Sequence, residues 1–166
     1  MNKVVQGGFN QNNISSLVDP LLLIDTCGGV QGVNDILLQS YQGILTFFPA
    51  YESDRAAKFV NIQTTGGFLV SGEQNESGEV TFAKVESQYG GDVTIALPDG
   101  ANWSIVDEAG NPVAITSGTV GEIVGFDAYD GIRTISFSTE AGKSYYAVPA
   151  ASAEAQPQVY FTKRED

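Results

Sequence analysis

Carboxylates are the side chains this sequence supplies in quantity for chemistry. Asp and Glu number 20 in 166 residues, and histidine is absent. Without histidine, Ser-His-Asp and Cys-His nucleophilic systems are excluded, and so are histidine zinc sites. Paired carboxylates do general acid/base work, and glycoside hydrolysis is its most direct use, with two of them flanking one scissile bond. Asp25 is the carboxylate of most interest, because it follows the apolar run Leu21–Ile24 and stands just ahead of Gly28 and Gly29. One reading makes it a cap, accepting backbone N–H groups and favouring the helix dipole. The other makes it a catalytic base. Glu73, Glu76 and Glu79 have the spacing of a calcium loop only loosely, with no Asp-x-Asp run. A solvated hairpin face is expected there, and no metal or cofactor is expected anywhere.

Aromatic rings are the second resource. Trp103, Tyr89, Tyr129, Tyr145 and Tyr146 could pack on the apolar faces of pyranoses, and the same residue types fill sandwich cores. Of these, Trp103, Tyr89 and Tyr129 are the candidate carbohydrate-binding residues. Cys27 is the single cysteine, so no disulfide forms within the chain, and a small buried hydrophobe is expected. Gly-Gly-Val-Gln-Gly at 28–32 fits neither a P-loop nor a dinucleotide fingerprint. Asp54, Arg55 and Lys58 read as surface ion pairing, or as an Arg bracket to the helix.

Charge and hydropathy narrow the partners. The formal net charge is −12 and the only basic pair is Lys163-Arg164, which argues against a nucleic-acid backbone as partner. The run Leu21–Ile24 is far below the ~20 apolar residues that span a bilayer. The opening MNKVVQGGFNQNN lacks the apolar region of a signal peptide. A soluble chain with no membrane partner is expected, its compartment left open.

Most of the chain reads as β. Glycine is abundant, at 19 residues, and charge is sparse, at 17%, a balance that favours a turn-dense β protein. Val30, Val33, Ile36 and Leu37 fall at helical spacing, which predicts one amphipathic helix over about Gly29–Tyr41, ended by Gly43. Strands are predicted at 44–48, 68–71, 79–87, 92–97, 103–106, 122–126, 133–138 and 144–148, with 51–59 as a loop or single helical turn. Asp107–Pro112, Asp99-Gly100 and Asp130-Gly131 are turn signals. Many short strands without intervening helices imply an antiparallel β-sandwich with one N-terminal helix. The expected organisation is a loop and helix over 1–41 and a sandwich over 42–150. A linker-like tail over 151–166 follows, in which Val159–Thr162 is either an edge strand or a tail.

The stretch Leu21–Glu73 resembles the C-terminal part of family 95 glycoside hydrolases, the α-L-fucosidase-like proteins. The resemblance rests on Gly28, Gly32, Val33, Leu37–Ser40 (Leu-Leu-Gln-Ser), Gly43, Phe48, Pro49 and Gly67–Val70. It implies that the helix is the last one of an (α/α)6 barrel and that the β domain is the sandwich closing such proteins. Asp25 then matches the family's catalytic base with one residue skipped, and the Gly-Asn following that base is missing here. The general acid would lie upstream, on a barrel this sequence does not contain. What the resemblance implies is therefore a non-catalytic accessory domain packing against a helical barrel, with members often secreted or periplasmic. An independent carbohydrate-binding module with exposed aromatics is the alternative.

Overall fold

The computed structural model describes residues 23–97, 102–125 and 131–149, and for 23–28 and 149 the backbone alone. Helix α1 spans Leu23–Leu37 and runs without a break into strand β1, Leu38–Gln39. A 3-10 turn, Tyr41–Gly43, leads to β2, Ile44–Phe47. Then come β3 (Ala57–Thr64), β4 (Phe68–Gln74), β5 (Val80–Ser87), β6 (Gly91–Ala96) and β7 (Trp103–Asp107). Strand β8 (Thr116–Thr119), a short helix α2 (Val120–Val124), β9 (Arg133–Thr139) and β10 (Ser144–Pro149) complete the described elements.

The strands form two five-stranded sheets, ordered β1-β2-β6-β9-β8 and β3-β4-β5-β10-β7. Neighbours are antiparallel except β2 and β6, which run parallel with Ile44 opposite Thr94. The expected β-sandwich with one N-terminal helix is what the chain adopts. Alternation along the strands sends Leu45, Phe47, Val93, Ile95, Ile135 and Phe137 inward from the first sheet, and Phe59, Val70, Val85, Ile105 and Tyr145 from the second, into one core. Rings bridge the layers: Phe47 stacks on Phe59 at 6.0 Å and meets Trp103 edge-on at 6.5 Å, while Phe137 lies 5.6 Å from Tyr145. Burying one such side chain is worth about 1.5–3 kcal/mol, so these contacts hold the two layers together. Gly72 makes room for them, since a Cβ there would come within 2.8 Å of Phe47 and 2.9 Å of Phe59.

Buried polar groups tie the loops down. Gln74 is buried and donates to the backbone oxygens of Glu52 and Arg55, both at 3.0 Å. In that loop Arg55 pairs with Glu52 at 2.9 Å rather than with Asp54, on an exposed surface.

The helix departs from its expected bounds at both ends. Its last turn yields to strand pairing, because Leu38 and Gln39 sit opposite Phe47 and Thr46 and the Phe48 N–H donates to the Leu37 oxygen at 2.7 Å. Gly43, at φ +79°, ends the 3-10 turn instead of the helix. The strand expected at 122–126 is also corrected. Val120–Val124 is helical because Thr119 caps it: the Thr119 Oγ1 accepts from the Glu122 N–H at 3.3 Å, and the Glu122 carboxylate accepts from the Thr119 N–H at 2.8 Å. This reciprocal box outweighs the local β propensity.

Strand β3 lay partly in the expected loop at 51–59. Its alternation is broken by a bulge between Phe59 and Ile62, where Asn61 takes φ +56° and its N–H donates to the Ser71 Oγ at 3.0 Å. The expected segments at 1–16, Asp99-Gly100 and 151–166, with Val159–Thr162, fall outside the described residues.

Candidate functional site

Strand alternation decides the fate of most candidate rings. Trp103 alternates with Ser104 and shares its face of β7 with Ile105, so it turns inward, is buried against Phe47 and offers no ring to solvent. Tyr145 is buried as well, its hydroxyl accepting from the Glu140 N–H at 2.8 Å. Tyr146 is half-buried on the opposite side of β10, with its ring 6.3 Å from Phe82. Burial raises its hydroxyl above the ordinary tyrosine range, with Lys84 opposing the shift. Tyr89 is 78% exposed. Tyr129 and the side chain of Asp25 lie outside the described residues; the Asp25 backbone is part of α1.

Tyr89 does not stand alone at its end of the sandwich. Tyr41, 69% exposed, belongs to the 3-10 turn, which follows Ser40, and both tyrosines adjoin residues that bond to the β3–β4 turn. The two are linked through the β3–β4 turn. Thr65 donates its hydroxyl to the Ser40 oxygen at 3.2 Å, and the Gln88 N–H donates to the Gly67 oxygen at 2.9 Å. Gly67, at φ +78°, lies against the edge of the Tyr89 ring; a Cβ there would sit 2.9 Å from Cε2 and closer still to Cδ2. Side-chain amides complete the surface. Gln63 donates to the Gln88 Oε1 at 3.2 Å, and Gln42 donates to the Tyr41 hydroxyl at 3.3 Å.

The acidic candidates serve turns. Asn75, not the glutamates, organises the β4–β5 hairpin: its Oδ1 accepts from the Ser77 and Glu79 N–H groups at 2.9 and 3.0 Å, and its amide donates to Glu79 at 2.8 Å. Asp107 does the same for the expected turn at 107–112, accepting from the Asn111 amide at 3.0 Å and from the Asn111 and Ala109 N–H groups. These bonds, the Asn111 side chain first, hold its carboxyl below the usual carboxylate range. Among the described residues no group of three or more His, Cys, Asp or Glu is placed to hold a metal. No described helix is long and apolar enough to cross a membrane.

Helix α1 presents a different kind of surface. Among the described residues it contacts β1 and β3, and Leu37 packs on the core. Val33 and Ile36 are half-buried, and Val30 is 44% exposed. Set against known proteins, the sequence matches no family model and no curated protein.

The tyrosine pair was only half visible in the sequence. Tyr89 is among the candidate carbohydrate-binding rings, whereas Tyr41 falls at the end of the predicted helix. The signal that separates it is local: Tyr-Gln-Gly at 41–43 ends in a glycine that takes positive φ, which marks a turn.

Proposed function

We propose that this chain is a non-catalytic accessory β-sandwich that packs, through α1, against a helical barrel of the family 95 glycoside hydrolase kind. The observation that carries the reading is the mismatch between α1 and its surroundings. The helix contains Gly28, Gly29 and Gly32 within 15 residues, each costing about 1 kcal/mol relative to alanine. A helix so weak by itself depends on packing. Yet among its described side chains only Leu37 is packed on the core cluster, and Val30 stays exposed. A neighbouring helix would cover Val30 and use the glycines for close backbone approach. The resemblance at Leu37–Ser40, Gly43, Phe48 and Pro49 supplies the identity of that neighbour.

The test is reconstitution. The barrel of a family 95-like hydrolase, stripped of its own C-terminal domain, is mixed with this chain and followed by analytical ultracentrifugation. A one-to-one complex is expected, weakened at least about tenfold by Val30→Asp, a change equivalent to 1.4 kcal/mol. The chain alone is expected to leave an aryl α-L-fucoside intact. Absence of a complex, or hydrolysis by the chain alone, overturns the reading.

A further inference from the structure

We infer that the end of the sandwich bearing Tyr41 and Tyr89 is a binding site for a neutral, polyhydroxylated ligand, an oligosaccharide or a polysaccharide segment. The inference is independent of the barrel contact, since it uses neither α1 nor Val30. It rests on three features of that end.

The first is the exposure of two large rings. Tyr89 and Tyr41 are the two most exposed large hydrophobic residues among those described. Leaving such rings in water forgoes the favourable transfer that every core aromatic here enjoys. The second is the way Tyr89 is held. Contact with Gly67 is at the Cδ2–Cε2 edge of the ring, which leaves the faces open to a partner. Gly67 takes φ +78°, and the adjoining Gly66 takes φ +86°, so the turn beneath the ring is built from residues without side chains. The third is the chemistry around the rings. Gln42, Gln63, Thr65 and Gln88 are all uncharged, and the hydrogen bonds between them and to the backbone fix their amides and hydroxyl.

Flat rings with fixed amides match a pyranose, whose C–H faces stack and whose hydroxyls both donate and accept. The surrounding charge selects further. In a chain of net charge −12, a polyanionic ligand is repelled on balance, and none of the residues named at this end is a cation. A neutral glycan pays no such cost.

Affinity electrophoresis with soluble polysaccharides tests this directly, using xyloglucan, barley β-glucan and galactomannan as neutral probes and polygalacturonate as the anionic one. Retardation by at least one neutral polymer is expected, together with none by polygalacturonate. Tyr89→Ala and Tyr41→Ala should each weaken it about tenfold or more, with unchanged thermal melting because both side chains are exposed. Gly67→Ala should also weaken it, by displacing the Tyr89 ring without removing any group of the site. Retardation by no neutral polymer, by polygalacturonate alone, or unaltered in both tyrosine variants overturns the inference. Val30→Asp must leave retardation unchanged, which separates failure here from failure of the barrel contact.

Discussion

Helix α1 and the sandwich beneath it solve the problem of stability in opposite ways. The sandwich is held by side chains from both layers, with Phe47, Phe59 and Trp103 meeting in its middle. Where it uses glycine inside a strand, as at Gly72, aromatic rings fill the vacated space. The helix also spends glycines, but nothing comparable is described around Val30, which remains 44% exposed. The same residue type therefore has two meanings in one chain. In the strand it records packing already made, and in the helix, on the proposed function, it marks where a partner helix would approach.

Mutations can break or sharpen that contrast. The largest effect is expected from Phe47→Ala, which removes the ring shared by Phe59 and Trp103 and should cost about 3–5 kcal/mol in urea unfolding. A loss under about 1 kcal/mol would mean that the layers are held elsewhere. Gly72→Ala should cost about 1–3 kcal/mol by overpacking the same place from the other side. A neutral or stabilising result would show that the rings have room to shift.

A smaller effect is expected at the turn after β7. The Asp107 carboxyl is held below its ordinary value, so its contribution is present above about pH 3.9 and is lost as pH falls through the lower folded value. Asp107→Asn should lower stability at neutral pH and flatten that acid limb in melts recorded across pH, the two proteins converging in acid. An unchanged acid limb would remove Asp107 from the account. The smallest effect belongs to Val30→Asp in the chain alone, expected to stay within about 0.5 kcal/mol of the parent. A large loss there would mean that the helix is already fully packed, and the contrast with the sandwich would collapse.

What could be read from the sequence follows from how locally each element is determined. Strands β2, β4, β5, β6, β7, β9 and β10 announce themselves because apolar residues alternate over a length that also pairs. Strand β8 does not, since Thr116-Ser117-Gly118-Thr119 holds no apolar residue and owes its conformation to pairing with β9. Strand β3 hides behind its bulge at Asn61. Helix α2 escapes a local pattern because Val, Ile and Val in 120–124 favour strands, whereas the Thr119–Glu122 box decides by hydrogen bonding. At the candidate site, Trp103 could be placed only by knowing which face of β7 turns inward. The neighbourhood of Tyr41 and Tyr89 joins positions 48 residues apart in sequence (89 − 41), and no local pattern encodes that.

The order of strands within the sheets has a kinetic consequence. The chain passes from one layer to the other five times along its described length. Strand β10 enters between β5 and β7, and β9 between β6 and β8. Until these late strands are available, each sheet is split, with open edges facing a gap. Contacts so distant in sequence make for slow folding, on the order of milliseconds to seconds. A nascent chain that has not yet released Ser144–Pro149 from the ribosome can collapse but cannot finish. That interval, when β5 and β7 lack their shared neighbour, is when this protein is most exposed to strand exchange with another copy.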